Sequence, residues 1–126
     1  MREFALRFID AMLALDLTAL ASMLADDVVW NIPPFAKRPP IHGRDGVLAF
    51  VQDSQGTYYQ PGTLTFEPDL VVADGNAAAV LGTLRARTIH GKDYENRYSF
   101  FFRMSGRTVV EAWELLDTAH LRRQMR

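Results

Sequence analysis

The feature that most constrains this chain is the stretch from Lys92 to Asp117, two alternating segments joined by a turn at Ser105-Gly106-Arg107. Successive side chains of a strand point to opposite faces. Tyr94, Asn96, Tyr98, Phe100, Phe102 and Met104 therefore share one side, while Glu95, Arg97, Ser99, Phe101 and Arg103 form a more solvated one. On the returning strand Val110, Ala112, Glu114 and Leu116 make one row; Val109, Glu111, Trp113 and Leu115 make the other. A three-residue loop pairs Tyr98 with Glu114 and sets a carboxylate among aromatic rings, a phenol and an amide. A two-residue loop shifts the pairing by one and puts Trp113 and Glu111 on the Tyr98 face. An apolar wall carrying one polar handle is how small-molecule pockets are lined.

The rest of the chain places helices ahead of this hairpin. Phe4, Phe8, Ile9, Met12, Leu13 and Leu15 recur at helical spacing over residues 2–15. Asp16-Leu17-Thr18 interrupts them, and Thr18 can cap a second short helix running to Leu24. Asp26-Asp27 turns into a short strand, Val28 to Ile32, followed by a loop between Pro33-Pro34 and Pro39-Pro40, since proline cannot donate to a sheet ladder. His42-Gly43-Arg44-Asp45-Gly46 leads into a third helix, Val47 to about Ser54, with Val47, Phe50 and Val51 on one side. The period then changes to two. Gly62 to Val72 reads as a strand broken at Pro68-Asp69, Asp74-Gly75-Asn76 as a turn, and Ala77 to Ile89 as a long strand. Helices followed by an antiparallel meander predict an α+β fold, with helices on one face of a curved sheet.

At 126 residues the chain suits a single domain, 1–126, around one core. Its net charge of -1 and scattered basic residues leave no electrostatic footprint for nucleic acid. With no cysteine, disulfides, thiolate metal sites and cysteine nucleophiles are excluded. No apolar run approaches the ~20 residues of a membrane span. The segment MREFALRFIDAM carries acidic residues and no small-residue cleavage site, so a cytoplasmic protein is expected rather than a secreted one.

The phrases RFIDAMLALDLTALASMLADDVVW, IHGRDGVLAF and HGKDYENRYSFFFRMSGRTVVEAWELLDT, in that order, resemble the nuclear transport factor 2-like superfamily. More narrowly they resemble its SnoaL-like and ketosteroid isomerase-like branch. The resemblance implies a cone: a curved sheet wrapped by helices around an apolar cavity open at one end, often dimerised through the sheet. Catalytic positions of ketosteroid isomerases fall here on Phe8, Ile32 and about Phe100, so all three polar groups of that mechanism are missing. The chain also resembles the limonene epoxide hydrolases from Gly91 to Asp117. There the water-activating carboxylate corresponds to Glu114 and a water-binding amide to Asn31, while the family's arginine and second aspartate fall on Leu81 and Thr83. That alignment favours the three-residue loop. The two comparisons orient the first strand differently, one turning Trp30 and Ile32 inward, the other Val29 and Asn31.

Glu114 is the leading candidate for acid/base chemistry, because an apolar wall raises a carboxyl pKa toward neutrality. Tyr98 could donate to a carbonyl or to Glu114, and Asn96 and Asn31 could hold a water or a substrate oxygen. Phe8, Trp30, Phe50, Phe100, Phe102 and Ala112 are expected to line the pocket or pack the core, favouring a flat or alicyclic ligand. Arg85 and Arg87 share one strand face and should pair outward; Asp117 should cap the strand exit or bind a nearby backbone amide. Three histidines without supporting acidic spacing give no metal motif. The expectation is an isomerase, hydrolase or lyase/cyclase without cofactor or metal, acting on an apolar ligand and forming a homodimer. The alternatives are a non-catalytic ligand-binding or dimerisation module, or a protein-interaction module.

Overall fold

The computed structural model describes residues 1–32 and 39–125, so the loop expected at Pro33-Pro34 lies outside the described residues. Helix α1 (Arg2–Leu13) buries Ala5, Phe8, Ile9 and Met12, the i, i+3, i+4, i+7 stripe that its sequence carries. The chain leaves α1 through Leu15 at φ 55° and enters α2 (Leu17–Met23). The cap of α2 is Asp16, whose carboxylate accepts from the Ala19 N–H at 3.1 Å; Thr18 lies inside the helix. Strands β1 (Leu24–Asn31) and β2 (Ile41–His42) follow, then α3 (Arg44–Thr57), longer at both ends than its apolar spacing suggested.

The remaining chain is β3 (Thr65–Asp74), β4 (Ala77–Arg87), β5 (Asp93–Ser105), β6 (Thr108–Leu116) and a closing helix α4 (Thr118–Gln124). The six strands form one curved, open sheet in the order β2-β1-β6-β5-β4-β3. The expected meander is present from β3 to β6, antiparallel throughout, but β1 joins β6 in parallel, so the sheet is mixed. The interruption at Pro68-Asp69 is a register shift between Pro68 and Leu70, not the end of a strand. Helix α4 was not expected from the sequence. Its first turn is capped by Asp117, which accepts from the His120 N–H at 3.0 Å, in keeping with an Asp117 that binds a nearby amide.

The core lies between the helices and the inner sheet face. Trp30, Phe8, Phe100 and Phe102 are fully buried there, each contributing about 1.5–3 kcal/mol. Phe8 stacks on Trp30 at 6.0 Å and meets Phe102 edge-on at 5.1 Å. Gly82 faces Tyr98 across β4 and β5, and the space a side chain would fill there holds the Phe66 ring and the Glu67 carbonyl. Phe66 in turn sits edge-on to Phe100 at 5.8 Å.

The outer face behaves differently. Arg85 bridges Glu67 and Glu95 at 3.0 and 3.1 Å, Arg97 reaches Asp69 at 2.5 Å, and Arg103 reaches Glu111 at 3.2 Å. Between these pairs, Leu70, Val72, Phe101 and Leu115 are exposed.

Candidate functional site

The β5–β6 turn contains two residues, Gly106 and Arg107, because Ser105 pairs with Thr108 and Met104 with Val109. Taken alone, that turn would put Trp113 and Glu111 inside. The ladder then shifts by one between Arg103 and Met104, leaving Val110 as an extra residue on β6. Beyond it Phe102 faces Ala112, Phe100 faces Glu114 and Tyr98 faces Leu116. Parity is thereby restored, and Glu114 stands on the inner face by a route that neither loop length alone provides. The expected Tyr98–Glu114 pair is corrected: Glu114 lies opposite Phe100, diagonal to Tyr98.

Glu114 is half-buried and lines a cavity of about 180 Å³ between the inner sheet face and helices α1, α3 and α4. Among the described residues its carboxyl makes no hydrogen bond and no ion pair. Removal from water therefore acts on it without compensation, and burial pushes its pKa from 4.5 to about 7. Phe50, Phe100, Leu84 and Leu116 supply apolar wall around it.

Three phenols meet here, two of them, Tyr59 and Tyr98, in the cavity wall and the third, Tyr94, behind it. Tyr98 shares one hydrogen bond with Tyr59 at 2.8 Å and another with Tyr94 at 3.0 Å. Asn96 donates to the Tyr94 oxygen and to the Asp117 carbonyl, both at 2.9 Å. Burial raises the pKa of all three phenols, so they are neutral hydroxyls at physiological pH. Counting protons is informative. Three hydroxyls carry three hydrogens, and the two O···O links use two, so one O–H remains for another acceptor. When it resides on Tyr59 or Tyr98 it belongs to a residue of the cavity wall.

The sequence-derived candidates thus divide. Glu114, Tyr98, Phe50 and Phe100 line the cavity. Asn96 stands two hydrogen bonds behind it, holding Tyr94, which in turn meets Tyr98 of the wall. Asn31 does not join them: β1 places it beside Trp113, and its amide donates to Glu111 at 3.0 Å and to the Ala112 carbonyl at 3.1 Å. Val28 and Trp30 are buried on the inward side of this strand, and Ile32, one residue beyond its end, reaches the cavity. Of the two places expected for Phe8, Trp30, Phe102 and Ala112, pocket lining or core, all four take the core: they are buried, and none is among the residues that line this cavity. Tyr59 and Gln55 were missed. Gln55 had a legible signal, for it continues the Val47–Val51 stripe of α3 by one further turn. Tyr59 follows the helix in irregular chain, where periodicity carries no information. Among the described residues, no group of three His, Asp or Glu side chains is placed to hold a metal ion. No described helix is long and apolar enough to cross a membrane.

The sequence profile of the SnoaL-like domain matches residues 5–112. The chain belongs to the SnoaL-like domain family. This SnoaL-like domain is similar to a nuclear transport factor 2-like protein of unknown function from Burkholderia pseudomallei K96243, with TM-score 0.83 and 25% identity over 98% of this chain and 95% of that one. It is also similar to a protein assigned as a SnoaL-like polyketide cyclase from Jannaschia sp. CCS1, with TM-score 0.85 and 13% identity over 98% and 89% of the two chains. A third similar structure, from Catenulispora acidiphila DSM 44928, has a ketosteroid isomerase-like fold and was solved in complex with trimethylamine; its TM-score is 0.83 at 10% identity over 99% and 93%. The last two likenesses concern the fold alone. No curated protein matches the chain by sequence.

Proposed function

We propose that this SnoaL-like domain is a small-molecule enzyme of isomerase, hydrolase or lyase/cyclase type. Glu114 moves the proton, without a cofactor, on a largely apolar substrate held in the cavity. The observation that carries the reading is an inward carboxyl with no partner among the described residues and a pKa of about 7. At neutral pH such a group is present in both forms, which is the optimum for a general acid or base. A structural carboxylate would instead be tied to a cation or an amide, as Glu111 is on the same strand. The spare phenol proton of the Tyr59–Tyr98–Tyr94 trio suits a substrate oxygen on which charge develops, and Asn96 positions the trio.

The test is Glu114→Gln assayed against a panel of cyclic ketones, enones and epoxides. The expected result is turnover lowered by about 10²–10⁴-fold on any compound the wild type converts, with binding changed only a few-fold. Unchanged turnover in the variant would remove Glu114 from the chemistry.

A second reading, a non-catalytic ligand-binding or dimerisation module, draws support from the outer sheet face. Exposed Val72, Phe101 and Leu115 border a groove of about 530 Å³ there, and an apolar surface of this kind invites a second copy. Homodimerisation is compatible with either reading. Sedimentation of the wild type beside Leu115→Glu tests it: a dimer that becomes a monomer supports the interface, and a wild-type monomer removes it.

A further inference from the structure

The charge balance of the cavity points to a class of ligand. Among the described residues its wall contains no Lys, Arg or His, and its titratable side chains are Glu114 and the tyrosines Tyr58, Tyr59 and Tyr98. The basic residues of α4 stand outside it: Arg122 and Arg123 are not in the wall, and His120 Nε2 meets the Glu95 carbonyl at 2.7 Å. Ionised, Glu114 therefore puts into the cavity a negative charge that no described side chain of the wall offsets.

The carboxyl is also within reach of a ligand. Among the described residues, the polar side-chain atoms sealed from water without a partner are Trp30 Nε1 and Gln55 Oε1. The Glu114 oxygens are not sealed, although they too make no hydrogen bond, and the half-buried residue contributes its open surface to this cavity. Its charge is felt in the wall around it. Burial is the main reason why the Tyr59 and Tyr98 phenols keep their protons, and the Glu114 carboxylate adds to it.

A buried carboxylate gains most from a partner that brings the opposite charge. A hard metal ion needs several oxygen ligands, and no group of three acidic or histidine side chains is placed to supply them among the described residues. The rest of the wall is aliphatic and aromatic, with the rings of Tyr58, Tyr59, Tyr98 and Phe100, and aromatic rings favour a cation carried on an apolar body.

We propose that the cavity binds small apolar amines as ammonium ions, with the Glu114 carboxylate as their counter-ion and the aromatic wall around their apolar body. The inference rests on the reading of the cavity as a small-molecule site and goes beyond proton transfer. An amine seated there holds Glu114 ionised, so amines are competing ligands of any neutral substrate that Glu114 protonates.

Two near-isosteric probes separate charge from shape: benzylamine, protonated at pH 8, and benzyl alcohol, which is neutral. Both offer a hydrogen-bond donor to Glu114, so the charge is what distinguishes them. Affinities are read by NMR titration at pH 8, with intermolecular NOEs to Phe100 and Leu121 placing each probe in the cavity. Wild type is expected to bind benzylamine about tenfold more tightly or better, as a hydrogen bond between two charged groups implies. Glu114→Gln should abolish that preference while changing the affinity for the alcohol only a few-fold. In wild type, saturating benzylamine should also lower the ¹³C titration midpoint of the Glu114 carboxyl by about one unit, the linkage counterpart of a tenfold preference for the ionised form. Benzyl alcohol should not lower it. The midpoint is read on wild type, so it decides the matter if Glu114→Gln does not fold. Equal affinities in the cavity, with a midpoint that benzylamine does not lower, overturn the amine site and leave the proton-transfer reading standing. If neither probe binds in the cavity, the small-molecule reading is what has failed, and the amine site falls with it.

Discussion

Glu111 and Glu114 leave the same strand three residues apart, on opposite faces of one sheet. Outside, the Glu111 carboxylate takes the Arg103 guanidinium at 3.2 Å and the Asn31 amide at 3.0 Å, and Arg103 also lies over the Trp113 ring at 5.4 Å. Inside, Glu114 has neither cation nor amide partner among the described residues and faces a largely apolar cavity shared with tyrosines and phenylalanines. The residue type is the same, so the difference is made by the sheet. One face offers solvent and opposite charge, which fixes a carboxylate as ionised structure. The other withholds both and leaves a proton that can come and go near neutral pH. What places each glutamate is the single extra residue at Val110.

The contrast can be broken from either side. The largest effect on folding is expected at Gly82, on the inner face, where an added Cβ would meet the Glu67 carbonyl and the Phe66 ring. Because a backbone atom cannot swing aside, Gly82→Ala should lower stability by about 3 kcal/mol or more by denaturant unfolding. A loss under about 1 kcal/mol would mean that β3 retreats easily and the cavity wall is softer than described.

Glu114 itself gives the next effect, and its sign depends on pH. The unfolded chain loses the Glu114 proton near 4.5 and the folded chain near 7. Between those values the folded state binds more protons, so the contribution is fully present below 4.5, falls as pH rises through the window, and is flat above it. The whole span is worth up to about 3 kcal/mol. Glu114→Gln should therefore match wild type at pH 4 and become more stable than it at pH 8. A gap that does not change with pH would place Glu114 in contact with water or a cation.

Tyr98→Phe removes the hydroxyl that both Tyr59 and Tyr94 contact and is expected to cost about 1–3 kcal/mol. The outer pair gives the smallest effect. Glu111→Gln, which keeps an acceptor for Asn31, should change stability by no more than about 1 kcal/mol and only weakly with salt. If Glu111→Gln proved more damaging than Tyr98→Phe, the assignment of structure to one face and chemistry to the other would be reversed.

Much of this was legible in the sequence, for reasons that particular residues make plain. Period-two alternation from Tyr94 to Met104 fixes the inner face of β5, and the 3.6 period of Phe8, Ile9 and Met12 fixes that of α1. Glu114 stood out because it interrupts an apolar row. The β6 register was ambiguous because loop length and a bulge each shift parity by one, and only their sum matters. Nothing in Val110 announces a bulge. The orientation of Asn31 stayed open because the stretch Val28 to Ile32 is apolar on both of its faces and so carries no alternation to choose between them. Helix α4 is short and lacks a buried stripe, so no periodic signal marks it. The tyrosine trio joins a residue after α3 to two on β5, a contact of long sequence separation that the fold creates.

The most direct measurement is the pH titration of the Glu114 side-chain carboxyl by ¹³C NMR, assigned through Glu114→Gln. A midpoint close to 7, unchanged by salt, is the expected result for an inward carboxyl without a partner. A midpoint near 4.5 would mean that the group is solvated or neutralised, and would contradict the assignment of proton transfer to it.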